Sequence, residues 1–83
     1  MEKMVSNAGK REENVKQIAI MRENFRFLRQ SNNWSIEELA NFSGINKKIL
    51  TKIENGEDFD VRYLIKLCHI YHIKPHEIFF RIN

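Results

Sequence analysis

Apolar residues in this chain recur at helical spacing, with no strand alternation to compete. Val15, Ile18, Met21, Phe25 and Leu28 follow one another at steps of three and four, the period of one buried helix face. Four later segments share a common start. An apolar residue precedes a cap position and a second follows the cap by four: Trp34/Leu39 around Ser35, Ile45/Leu50 around Asn46, Phe59/Leu64 around Asp60, and Ile73/Ile78 around Lys74. This hydrophobic staple sets the angle at which a chain enters a helix. Ser35 with Glu38 adds a capping box. Asn46 and Asp60 are good N-caps, because their side-chain oxygens accept from the orphan amides of a first turn. Lys74 has no such oxygen, but Pro75 at the first helical position carries a φ already suited to a helix. The pattern predicts an all-α fold of five helices, over about 12–31, 36–42, 47–55, 61–71 and 75–81, in one domain of residues 12–83. Residues 1–11 are polar, with Ser6, Asn7 and Gly9 close together, and read as a disordered basic arm.

Eighty-three residues hold one domain at most, near the lower size limit for a self-sufficient core. The net charge of +3 and pI of about 9.2 permit a polyanionic partner without requiring one. The excess is lopsided: residues 1–34 carry seven Lys/Arg against four Asp/Glu, which is the whole of it. A lone cysteine, Cys68, excludes an intrachain disulfide framework and suits a reducing cytosol. No apolar run is long enough to span a bilayer and no signal peptide is visible, so a cytoplasmic location without membrane contact is expected.

The segment 35–56 carries the chemistry. Helices two and three are joined by only Phe42-Ser43-Gly44-Ile45, which forces a sharp crossing, and Gly44 can take the positive φ such a turn needs. Leu39, Ala40, Ile45, Leu50 and Ile53 then share one small core, and Met21, Phe25, Trp34 and Phe42 also read as core. With Leu50 and Ile53 inward, Lys47, Lys48, Thr51 and Lys52 face out. Lys47 and Lys48 stand at the N-terminal end, where a recognition helix meets base edges. Lysine donates to guanine O6 or N7, or binds phosphate as a point charge. Cations there oppose the helix dipole, a cost that hints at function. The competing reading is a solvated lysine face.

Phe25-x-x-Leu28-Arg29, Ser35-x-x-Glu38-Leu39-Ala40, Gly44-Ile45 and Leu50-x-x-Ile53-Glu54-Asn55-Gly56, followed by Leu64, Leu67, Ile73 and Ile78, together resemble the phage repressor/Cro-type (Xre-like) helix-turn-helix family over about residues 21–79. The resemblance implies a compact five-helix domain, with the helix-turn-helix at 36–55. It implies a bacterial or phage regulator that binds palindromic operators in double-stranded DNA as a homodimer and represses or activates transcription. By position it places Lys47, Lys48, Ile49 and Lys52 at base- and backbone-contacting sites. Asn55 falls where a backbone amide meets phosphate, and Arg62 where a basic residue does the same. Arg29 and Glu54 fall on a structural ion pair between helix one and the end of helix three.

Three positions depart from the family. Ile36 stands where glutamine usually touches phosphate and braces the recognition helix. Ile49 stands on the outer side of helix three, suited to a thymine methyl or to a protein surface. The loop Glu57-Asp58-Phe59-Asp60 is acidic, and its carboxylates repel a phosphate backbone. Against these, Lys3, Lys10, Arg11 and Lys16 offer a basic arm that reaches an adjacent groove, or a tail with no role.

Other chemistry is set aside. Cys68, His72 and His76 recur at four-residue steps, but Pro75 breaks the helical face between them, and three ligands are thin for structural zinc. His69 and His72 read as surface or helix-end residues, His72 in place of a glycine. No nucleophile–base set and no phosphate-cradling glycine loop is present, so neither an enzyme nor a cofactor is expected. Phe79 and Phe80 are candidate dimer contacts. Two functions remain: a sequence-specific DNA-binding regulator, or a protein-binding helix-turn-helix module of antirepressor or antitoxin-like kind. Exposed Ile36 and Ile49 motivate the second.

Overall fold

Each anticipated cap with a side-chain oxygen opens a helix in the computed structural model, which describes residues 7–57 and 60–82. Four α-helices follow in order: α1 Asn7–Ser31, α2 Ile36–Ser43, α3 Lys47–Glu54 and α4 Val61–Ile70. Ser35 Oγ accepts from the Glu38 amide at 3.0 Å, and Glu38 Oε1 accepts from the Ser35 amide at 2.8 Å. Asn46 Oδ1 accepts from the Lys48 amide at 2.7 Å, and Asp60 Oδ1 from the Arg62 amide at 3.0 Å. No strand occurs among the described residues.

The expected fifth α-helix is instead a short 3-10 helix, Pro75–Phe79. Its Glu77 and Phe80 amides donate three residues back, to Lys74 O at 2.9 Å and Glu77 O at 3.1 Å. The reason lies in α1. Asn24 is buried there and donates through Nδ2 to Ile78 O at 2.8 Å and Phe80 O at 2.7 Å. Those carbonyls are thereby satisfied without a further helical turn. Phe80 is extended, and Arg81 pairs with Glu23 of α1 at 2.8 Å. The helix α1 also starts earlier than the apolar periodicity does, because elongating a formed helix is far cheaper than nucleating one and Ala8, Lys10 and Arg11 are good helix formers. Residues 1–6 of the expected arm lie outside the described residues.

Three helices end alike. The Trp34 amide donates to Arg29 O at 3.1 Å and Asn33 to Gln30 O at 2.9 Å; Glu57 to Lys52 O at 2.7 Å and Gly56 to Ile53 O at 3.0 Å; Ile73 to Cys68 O at 3.0 Å and His72 to His69 O at 3.2 Å. These paired bonds are Schellman closures, which need a left-handed residue at the pivot. The pivots are Asn33 (φ 59°), Gly56 (φ 76°) and His72 (φ 59°). Gly56 fits for a second reason: a Cβ there would lie 3.3 Å from Arg22 Cδ. The turn from α2 to α3 pivots on Gly44 (φ 76°), whose amide donates to Ala40 O at 2.9 Å.

These closures fold the helices round one core of Met21, Phe25, Leu39, Ile45, Leu50, Ile53, Leu64, Leu67, Cys68, Tyr71 and Ile78. Helix α1 packs on α3 and the 3-10 helix, and α2 packs on α3 and α4. Ala40 and Trp34 are half-buried against the core, as expected. Phe42 is not a core residue: it is 66% exposed. Leu39 and Ser43 take the inward face of α2, which leaves Phe42 to cover the Trp34 ring at 5.2 Å. Val15 is likewise exposed, so the core stripe of α1 starts later than the apolar ladder. Tyr71 stacks on Trp34 at 5.9 Å, and burial pushes its phenol pKa up, so it stays protonated.

An ion pair ties α3 to α1. Arg29 Nε and Nη2 donate to the two Glu54 carboxylate oxygens at 2.8 and 2.9 Å, and its Nη1 donates to Trp34 O at 2.9 Å. Arg26 Nη2 donates to the Glu54 carbonyl at 2.9 Å. The side chains of Arg29 and Glu54 are only 16% and 8% exposed, so neither charge can be removed alone without stranding the other. Glu54→Ala is expected to destabilise the domain by about 3–5 kcal/mol in urea unfolding; a loss below ~1 kcal/mol would contradict this account of the pair. His72→Gly is expected to raise stability by about 1 kcal/mol in the same measurement, because glycine relieves the left-handed strain.

Candidate nucleic-acid interface

Burial of Leu50, Ile53 and Glu54 leaves α3 one orientation about its axis. Lys47, Lys48, Thr51 and Lys52 are all exposed on the opposite side and line one open depression of about 460 Å³. Lys48 and Lys52 are one helical turn apart, and among the described residues neither meets a carboxylate. Lys47 does: its Nζ lies 3.0 Å from Glu37 Oε2 in the first turn of α2. That carboxylate offsets the unfavourable placement of a cation at a helix N-terminus. Thr51 Oγ1 donates to Lys47 O at 2.9 Å. Its hydroxyl proton is thus committed, and its oxygen can still accept.

The other anticipated contacts differ in state. The Asn55 amide already donates to Thr51 O at 3.0 Å and Lys52 O at 3.2 Å, and the Gly56 and Glu57 amides after it are also taken. A phosphate near Asn55 would therefore meet its exposed side-chain amide rather than its backbone. Arg62 is exposed but held: Nη2 and Nε donate to Asp60 at 2.7 and 3.1 Å, and the guanidinium lies 5.9 Å from the Tyr63 ring centre. Those hydrogen bonds from Arg62, side chain and then backbone, hold the Asp60 carboxyl below the ordinary range. Asp60 thus meets a phosphate backbone already paired with a cation. Asp58 and Phe59 of the same loop lie outside the described residues.

Ile36 and Ile49 are not the exposed apolar pair that the sequence implied. Both are half-buried and packed against the core. Ile36 faces inward from the first turn of α2, and the polar link across the turn passes to its neighbour Glu37. Sequence reasoning overlooked Glu37, because its partner lies ten positions away on another helix. It also overlooked Arg26, although Arg22, Arg26 and Arg29 form a readable stripe at three- and four-residue steps.

The set-aside metal reading gains nothing. Among the described residues no group of three His, Cys, Asp or Glu side chains is placed to hold an ion. Cys68 is buried, and desolvation pushes its thiol up to about 11. It is neutral at physiological pH and poorly nucleophilic.

A cation-bearing helix presented across a glycine turn from a capped partner helix is the geometry of a helix-turn-helix. The family model described as helix-turn-helix matches residues 25–78, well over half of the chain. This protein belongs to the Xre/Cro-type helix-turn-helix family. No curated protein and no solved structure matches the chain significantly. The family is one of DNA-binding transcription regulators. Among the described residues no helix of this helix-turn-helix protein is long and apolar enough to cross a membrane.

Proposed function

We propose that this chain is a sequence-specific transcriptional regulator of the cytoplasm, a dimeric repressor that inserts α3 into the major groove of a palindromic operator. The observation that carries the reading is the exposed set Lys47, Lys48, Thr51 and Lys52 on a helix held rigid by Arg29 and Glu54. Lys48, the second residue of α3 and without an acidic partner among the described residues, supplies the base-edge contact. Lys52 and the Asn55 side chain supply phosphate contacts, with Arg62 joining once Asp60 yields it. The outer part of Ile49 offers an apolar contact to a thymine methyl.

A dimer would place two copies of α3 one duplex turn apart, about 34 Å. Phe80 and Phe27, both exposed, support a self-association surface. Phe27 shares a face of α1 with Glu23 and Asn24, the residues that tie down the chain at Phe80 and Arg81. The protein-partner reading is weakened, since Ile36 and Ile49 are half-buried against the core and expose only their outer parts.

The test selects bound duplexes from a random pool and then compares wild type with Lys48→Ala. The variant is expected to bind the selected sequence more weakly by about 1–3 kcal/mol and with relaxed choice of bases. Unchanged affinity and unchanged preference would overturn the assignment of Lys48. Binding to a partner protein that persists at high salt, with no duplex selected, would favour the protein-binding module.

A further inference from the structure

We infer that Glu37 is a specificity-determining residue of the proposed DNA interface: its carboxylate engages Lys47 and keeps that lysine from joining indiscriminate phosphate contacts. The inference rests on the DNA-binding reading of α3.

The structural duty of Glu37 is small: its charge suits the first turn of α2 and offsets Lys47 at the start of α3. The cap of α2 is complete without it, because Ser35 and Glu38 satisfy each other's amides. Its ion pair with Lys47 joins two exposed side chains, 72% and 54% accessible, and a pair so open adds little to stability. Yet the pair sits at the leading end of α3, on the face that also presents Lys48, Thr51 and Lys52. A carboxylate on a surface meant for a polyanion acts against binding.

That opposition is selective. Binding to arbitrary DNA consists almost wholly of cation–phosphate contacts and the counterions they release. With Lys47 held by Glu37, each arbitrary duplex must displace the carboxylate before it gains that contact, and it meets the repulsion of Glu37 as well. An operator read through base-edge bonds to Lys48 and its neighbours is bound with the Glu37–Lys47 pair left intact, so it does not bear the cost of displacing the carboxylate. Glu37 thus penalises arbitrary DNA more than the operator, and the difference is the specificity it adds.

The experiment measures binding of wild type, Glu37→Gln, Lys47→Gln and the double variant to the selected duplex and to a random-sequence duplex, over a range of salt. Circular dichroism melts confirm that each variant is folded, and the exposed pair predicts unchanged melting. Glu37→Gln is expected to bind the random duplex about 3- to 10-fold more tightly at low salt, with a log–log salt slope steeper by about 0.9, the value of one further phosphate contact. Its gain on the selected duplex is smaller, so the specificity ratio falls. With Lys47→Gln in place, the slope change disappears. An unchanged slope and ratio, or a slope change that survives in the Lys47→Gln background, would overturn the inference. So would a loss confined to the selected duplex, which would mean that Glu37 itself reads a base. Wild type that binds no duplex would defeat the DNA reading itself, whereas wild type that binds, with Glu37→Gln indistinguishable from it, defeats only the role of Glu37.

Discussion

Arg29 directs its guanidinium at three acceptors from two separate parts of the chain: both oxygens of Glu54, the last residue of α3, and the carbonyl of Trp34, just before α2. The two ends of the 35–56 segment are therefore anchored to one side chain on α1. Arg26 adds a bond to the Glu54 carbonyl, where the negative end of the α3 dipole favours a cation. A helix of eight residues is marginal by itself, so α3 holds its shape and direction through this anchor and through burial of Leu50 and Ile53. The outward stance of Lys48 and Lys52 follows from it.

The same logic explains how charge is distributed. Glu54 is neutralised from α1, Asp60 by Arg62, and Glu37 by Lys47. Of the loop carboxylates that read along the chain as repulsive to DNA, Asp60 is matched to a cation in three dimensions. On the outer face of α3, Lys48 and Lys52 stay without an acidic partner among the described residues. The protein is only mildly basic, yet the face it presents at α3 is more basic than its composition indicates. This is the difference between net charge and the local field that a ligand meets.

Much of this fold was legible in the chain because its determinants are local. A cap and its staple span six residues, and Ser35, Asn46 and Asp60 each open a helix where expected. A left-handed pivot is equally local: Gly44 and Gly56 mark theirs, and His72, in a glycine's place, has a φ of 59°. The misjudged features depend on contacts between distant segments. Asn24 looks like an ordinary polar residue of α1, and only the approach of Ile78 and Phe80 makes it a buried tie that turns the last helix into a 3-10 turn. Phe42 fits a core by hydrophobicity alone, but Leu39 and Ser43 already fill the inward face of its helix. At the interface, the residue types and the outward face of α3 were legible. The commitments of Lys47, Arg62 and the Asn55 amide were not, since each depends on a partner's position.

The account's central claim is that the outer face of α3, presented by the Arg29–Glu54 anchor, is the surface that meets DNA. Titrating isotope-labelled protein with a selected duplex and following each backbone amide by NMR tests it directly. The account predicts shifts concentrated at residues 46–52, the first turn of α2 and the amides after Glu54, with the Phe27 and Phe80 surface unmoved by duplex at constant oligomeric state. Shifts confined to Phe27 and residues 80–82, or no shifts in α3 at saturating duplex, would contradict it.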